Sequence, residues 1–310
     1  MNWRANPDSP IACIGGANLD WRGALRGPLV LGTSNPGDAH LDVGGVARNV
    51  AENLARLGSK VTLISRVGDD AGGRQVLEHS EALGIDTSWI GVSSTLPTAS
   101  YLAILESSGE LVVGLDDMDV YEELTPEILQ PALPCLQQHT GWFVDSNVPG
   151  PTIEWLLASA GGIPVAVDAI SVMRARRLIP LLPGITLLFA NLVQAAVITG
   201  VPSFSDTREA ARALEGMGAR AGIVTAGGAG IAVWSGSSID TLPALPARPR
   251  DVTGAGDALV AGTLWGLMRG RNLVQASQLG LAAAAITVES PHAAAPELTL
   301  TLLEERCARR

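Results

Sequence analysis

Gly44-Gly-Val-Ala-Arg-Asn-Val-Ala-Glu-Asn-Leu-Ala-Arg-Leu-Gly58 runs on through Ser59 and Lys60 into Val61-Thr-Leu-Ile64, so one passage holds a helix and then a strand. Val46, Val50, Leu54 and Leu57 recur at the spacing of an apolar helical face, and Gly58 is the residue type that ends such a helix. Arg48, Asn49, Glu52 and Arg56 make the polar face. Short apolar runs rich in β-branched residues recur at 11–14, 61–64, 142–144, 165–167, 186–189 and 222–225, mostly with helical patterns between them. Alternation of this kind is the mark of βαβ units around a largely parallel sheet, which sets the fold class as α/β.

The pattern changes between Thr98 and Asp116. Residues 100–105 and 111–115 are strand-like and flank Glu106-Ser-Ser-Gly-Glu110, a hairpin in which Gly109 supplies the turn conformation. With the strand-like stretches 19–25 and 38–43 they predict a small β-sheet attached to the α/β body as a lid over a cleft. The lid strands are expected within about 17–43 and 98–118 of a single domain covering 1–310.

Composition narrows the function. The chain has 310 residues, 47% of them hydrophobic, and a formal net charge of −10, so it buries a sizeable core and offers no basic surface for nucleic acid or an anionic membrane. Cys13, Cys135 and Cys307 are far apart and without metal-ligand spacing, as expected of reduced thiols in the cytoplasm. No charged segment precedes an apolar one at the N-terminus, and the apolar stretch 181–201 is broken by Pro183, Gly184, Asn191, Gln194 and Gly200. Neither secretion nor membrane spanning is expected.

Three glycine-rich segments carry the chemistry. Asp251-Val-Thr-Gly-Ala-Gly-Asp257 places a turn of small residues before a long apolar helix, with a carboxylate at the junction. Backbone N–H groups and the helix dipole converge there on one spot, which suits a phosphate, and a carboxylate beside it can orient an attacking hydroxyl. The same seven residues also read as an ordinary glycine turn capping a helix. Gly15-Gly-Ala-Asn-Leu-Asp20 follows the first strand, and Asn18 and Asp20 alternate so as to face one side. Amide and carboxylate suit the paired hydroxyls of a sugar, which could lie on Gly44 and Gly45 with Asn49 above them. A dinucleotide loop is disfavoured because GxGxxG is absent. Asp145-Ser-Asn147 follows an apolar run at the C-terminal end of a strand, where clefts in open α/β sheets collect, so Asp145 and Asn147 are candidate substrate contacts.

Taken together, GGANLD, GGVARNVAENLARLG and DVTGAGDALVAG resemble the ribokinase-like sugar kinase family, also called PfkB, in the family's order and over nearly the whole chain. The resemblance implies a three-layer α/β/α ribokinase-like fold with a small β-sheet lid and transfer of the ATP γ-phosphoryl group, with Mg²⁺, to a sugar hydroxyl. It implies that Asp257 is the catalytic base and that Gly254, Ala255 and Gly256 form the anion hole. Asn18, Asp20, Gly44, Gly45 and Asn49 match sugar-binding positions. Thr225, Gly227 and Gly230 in Val224-Thr-Ala-Gly-Gly-Ala-Gly-Ile231 match a strand and turn that contact ATP, although a plain hairpin would look similar. Asn191 belongs to an Asn-x-x-Glu segment that acts on Mg²⁺ and phosphate, but here Gln194 replaces the glutamate. Asp251 and Thr253 match positions that help bind a monovalent cation, K⁺, and the lid implies a homodimer.

Within the family, Gly15–Asp20, Ser34-Asn-Pro-Gly37, Arg48-Asn49, 100–105 and Gly114-Leu-Asp-Asp-Met-Asp119 resemble the subgroup that phosphorylates the 5′-hydroxyl of pseudouridine. Two alternatives stand beside it. One is a kinase for another sugar or nucleoside, such as ribose, adenosine or fructose; the other is a non-catalytic ligand sensor on the same fold.

Overall fold

Ile11 and Cys13 of the first strand point to one side of a sheet, Ala12 and Ile14 to the other, and all four are fully buried. A strand covered on both faces belongs to the middle of three layers. The computed structural model describes residues 3, 6 and 8–308. Its strands are β1 (Ile11–Ile14), β2 (Asn18–Leu25), β3 (Gly37–Gly44), β4 (Val61–Gly68), β5 (Asp86–Ser93), β6 (Ser100–Leu105), β7 (Leu111–Asp117), β8 (Trp142–Asp145), β9 (Val165–Asp168), β10 (Leu187–Asn191), β11 (Ala221–Thr225), β12 (Ile231–Ser235) and β13 (Ser238–Leu242).

The large sheet has the order β13-β12-β11-β10-β9-β8-β1-β4-β5, parallel except for the antiparallel β12 and β13. One face packs on helices Val46–Arg56, Ala255–Met268 and Leu273–Thr287, the other on Gly150–Ser159, Leu192–Thr199 and Thr207–Gly216. This is the three-layer α/β/α arrangement. Leu54 of the first helix is fully buried, a contribution of about 1.5–3 kcal/mol. That helix ends where Gly58 takes φ 78° and donates to the Ala55 carbonyl at 2.9 Å.

Four strands form a separate sheet, β3-β2-β6-β7. Its two faces differ. Trp21, Leu102 and Leu115 are cross-strand neighbours on one face and are 43%, 38% and 62% exposed. Asp20 and Arg22 alternate with them and point the other way, toward the large sheet.

Two elements differ from the pattern in the sequence. The edge strand β5, with its polar Asp86-Thr-Ser-Trp start, lacks a β-branched run and is stabilised by pairing with β4. The helix of the DVTGAGD segment begins at Ala255, so Asp257 lies in its first turn.

Candidate active site

The large sheet reverses its strand order between β1 and β8, and the loops leaving these two ends approach closely. Glycine is required there. A Cβ on Gly15 would collide with the Asp145 carboxylate, and one on Gly16 would lie 2.6 Å from Asn147 Nδ2. Asp145 is fully buried: Oδ2 accepts the N–H groups of Gly16 at 2.7 Å and Ala47 at 2.9 Å, and Oδ1 accepts that of Asn147 at 2.9 Å. The expected substrate contact is thus turned to backbone amides and ties three loops together. Burial raises its pKa to about 6 against the lowering effect of those bonds. Asn147, nearly buried, keeps its side chain beside Gly16.

On the lid, Asn18 Nδ2 donates to Asp20 Oδ1 at 2.6 Å, and the Asp20 carboxylate occupies the space a side chain on Gly44 would need. Gly45, at φ 98°, lets the chain pass directly against the Gly16 carbonyl. The glycine pair is held by Arg48, which is buried and donates to the carbonyls of Val43 and Gly44, to Glu52 and to Asn49 Oδ1. With its oxygen so engaged, Asn49 has its amide nitrogen left to donate to Asp257 Oδ2, at 2.7 Å. Two segments 208 residues apart meet in that bond.

Asp257 opens onto a cavity of about 180 Å³ that is also lined by Asp168, Asn191, Gln194, Thr225 and Gly256. Protein packed around its carboxylate raises its pKa to about 8; the Asn49 bond opposes this, while the charges of Asp168 and Asp145 reinforce it. Gly254, at φ 75°, packs where a Cβ would strike the Ala293 carbonyl, whereas the space beside Gly256 is open. The Ala255 N–H donates to the Val252 carbonyl at 3.3 Å, so in the first turn of Ala255–Met268 it is Gly256 and Asp257 that border the cavity with the positive end of the helix dipole.

Asp168, at the end of β9, was not singled out in the sequence. It follows an apolar strand just as Asp145 does, and that parallel is the signal that could have found it. Burial lifts its pKa to about 7, and Oδ1 accepts the Ile170 N–H at 2.7 Å. Ile170 is the non-glycine residue at positive φ, 50°, among the described residues. Gln194 clamps it: Nε2 donates to the Ile170 carbonyl at 2.6 Å while Oε1 accepts the Asn191 N–H at 2.8 Å, and Asn191 Oδ1 accepts the Gln194 N–H at 2.9 Å. A glutamate can accept at that position but cannot donate.

A second cavity, about 510 Å³, shares Thr225 and Gly256 with the first and runs past Gly227 and Gly228 between apolar walls such as Leu245, Val252 and Leu281. Its size and apolar lining suit a flat heterocycle. The segment holding Thr225 and Gly227 is a hairpin between β11 and β12 as well as a wall of this cavity. Gly230, at φ 95°, shapes the hairpin where a Cβ would strike the Leu242 carbonyl, and lines neither cavity.

Asp251 and Thr253, expected to hold a monovalent cation, meet a different one. Arg22 of β2 donates to Asp251 Oδ2 and, at 3.0 Å, to Thr253 Oγ1, while Asp251 Oδ1 accepts the Thr253 N–H at 2.8 Å. Both carboxylate oxygens and the hydroxyl are engaged, so a potassium ion does not fit on these side chains beside the guanidinium. Arg174 makes a second bridge from body to lid, reaching Asp116 of β7 at 3.1 Å.

Comparison with known proteins accounts for this arrangement. The model of the pfkB family carbohydrate kinases matches residues 8–300. The pseudouridine kinase of Escherichia coli K12 is 31% identical over 256 residues, covering 81% of this chain and 82% of that protein. A solved carbohydrate kinase from Agrobacterium tumefaciens superposes with a TM-score of 0.85 at 34% identity, covering 97% of each chain. A ribokinase of Arabidopsis thaliana, solved with ribose and ATP, has the same fold, with a TM-score of 0.84 at 19% identity over 97% of this chain and 99% of that one. A cleft between a three-layer body and a sheet lid, with an anion cradle at a helix start and a carboxylate beside it, is what an ATP-dependent kinase of the ribokinase type requires, and the chain belongs to the pfkB family of carbohydrate kinases.

Proposed function

We propose that this kinase transfers the γ-phosphoryl group of ATP to the 5′-hydroxyl of pseudouridine, giving pseudouridine 5′-phosphate and ADP. The observation that carries the choice of acceptor is the 31% identity to the Escherichia coli pseudouridine kinase across four-fifths of the chain. Asn18 and Asp20 take the ribose hydroxyls on the glycine pair, and the acceptor hydroxyl lies at Asp257, whose carboxylate accepts its proton as the O–P bond forms. Gly254, Ala255 and Gly256 hold the transferring phosphoryl group, and the larger cavity beside Thr225 and Gly227 takes the nucleotide, with Asn191 near its phosphates.

Magnesium fits this donor set. Among the described residues no three His, Cys, Asp or Glu side chains form a cluster that would hold a metal, yet Mg²⁺ in such sites takes one or two carboxylates together with substrate phosphates and waters. Asp168 is the carboxylate on hand, since both ends of the Gln194 amide are engaged. Bound there with ATP, the ion would neutralise charge on the phosphates. A cytoplasmic location, where ATP is at hand, fits this reading. A second copy of the chain is proposed to cover the exposed apolar face of the lid, which monomers rarely leave open.

The test is direct. Purified protein is incubated with ATP and, separately, pseudouridine, uridine, cytidine, adenosine, ribose and fructose, with ADP release and product mass recorded. Pseudouridine is expected to give the highest kcat/KM. Phosphorylation of another member of the panel with none of pseudouridine overturns the assignment, and ATP binding without phosphorylation of any would favour a ligand sensor.

A further inference from the structure

We propose that Arg22 supplies, from the lid, the positive charge that the phosphate-binding loop needs, so that this kinase binds ATP and turns over without a monovalent metal ion. Arg22 reaches both the Asp251 carboxylate and the Thr253 hydroxyl, 229 and 231 residues away in sequence. Thr253 directly precedes Gly254, the left-handed residue at which the cradle begins.

The electrostatic need is local. A carboxylate next to a cradle for a triphosphate repels its ligand unless a cation stands between them, and that repulsion weakens every phosphate contact. A guanidinium answers the need permanently, because it is part of the chain and its planar fork meets a carboxylate and a hydroxyl together. Once it is in place, Asp251 has one oxygen on Arg22 and the other on the Thr253 N–H, which leaves no side-chain oxygen pair for an ion.

The position of Arg22 adds a coupling. It lies two residues beyond Asp20 on β2, so both face the cleft from one side of the strand. Because Asp20 and Arg22 share β2, the strand that borders the acceptor side of the cleft also carries the cation that sits on the loop.

The inference rests on ATP-dependent phosphoryl transfer and not on which acceptor is used. Its test therefore begins with ATP binding, measured by calorimetry with Mg²⁺ in potassium chloride and in tetramethylammonium chloride at equal ionic strength, with and without acceptor. Wild type is expected to bind ATP equally, within about twofold, in the two salts. Arg22→Gln is expected to bind about tenfold more weakly in tetramethylammonium, the loss of one charge-assisted contact, and to recover in potassium, where the ion can enter beside the freed carboxylate. Arg22→Gln with Asp251→Asn removes both charges and is expected to bind alike in either salt. Turnover with whichever panel substrate is accepted should follow the same order. Arg22 is over a third exposed on its side chain, so its loss should leave thermal melting close to wild type. Several-fold tighter ATP binding by wild type in potassium, an Arg22→Gln variant equal to wild type in tetramethylammonium, or one that potassium fails to restore would each overturn the proposal.

Discussion

Asn49 donates its side-chain amide to Asp257 Oδ2 at 2.7 Å, and Arg48 fixes the direction of that bond by occupying Asn49 Oδ1. The amide one turn into the helix after Gly45 thus holds the carboxylate in the first turn of Ala255–Met268, so one bond joins the proposed sugar and phosphate sites. Asp257→Asn keeps the shape but removes proton acceptance. Turnover should fall about 100- to 10,000-fold while the Kd for ATP changes little, as read by rapid-quench kinetics and calorimetry. Unchanged turnover would remove Asp257 from the reaction.

Two pH effects follow from the raised carboxylates. A base must be ionised to work, so with Asp257 at about 8 in the free protein, kcat/KM should rise with pH and level off above that value. Stability moves the other way. In the unfolded chain the carboxylate ionises near 4, so between about pH 4 and 8 the folded state holds a proton that the unfolded state has released, and stability is lost as pH rises through that window. Asp168 and Asp145, at about 7 and 6, act in the same direction, and the three titrate as a coupled set. Asp257→Asn should accordingly raise Tm at pH 8 by roughly 2–4 °C and by less at pH 5, as scanning calorimetry would show.

Gln194→Glu should impair this protein rather than improve it. The substituted carboxylate would face the Ile170 carbonyl, acceptor against acceptor, where Nε2 now donates at 2.6 Å. Released from its clamp, Ile170 would leave its left-handed conformation and Asp168 would lose a fixed N–H partner. The expected outcome is about a tenfold lower kcat and a weaker response to Mg²⁺, measured by titrating the metal at saturating ATP. Higher kcat would show that the amide merely stands in for an acid.

Gly254 and Gly256 should separate fold from chemistry. Gly254→Ala forces a left-handed alanine, about 1–2 kcal/mol, and drives a methyl onto the Ala293 carbonyl, so both the urea midpoint and activity should drop. Gly256→Ala meets no atom within 4 Å and lies in a helix, so stability should hold or rise while the methyl obstructs the cradle and raises KM for ATP.

The lid face gives a prediction about assembly. Leu115→Asp puts a charge on the most exposed member, at the β7 end, of the row formed with Leu102 and Trp21. Light scattering should report a dimer for wild type and a monomer for the variant. A monomeric wild type would end that proposal.

The α/β class, the lid strands' separate character and the glycine turns of the candidate site were legible because each is written in neighbouring residues: apolar period, glycine pairs, a carboxylate at a helix start. Local periodicity fixes which face of a segment is apolar, and glycine marks where backbone must pass close. What no local pattern carries is which distant groups meet. The sequence by itself determined a kinase-like set of parts in a fixed order. Only the tertiary structure decided that Asp145 turns to backbone amides, that Asp168 stands in the cavity, that Gln194 clamps Ile170, and that the cation on Asp251 is Arg22. Each of these depends on the β1–β8 reversal and the packing of the lid on the body, where hydrogen-bond satisfaction in confined space selects partners that spacing along the chain does not encode.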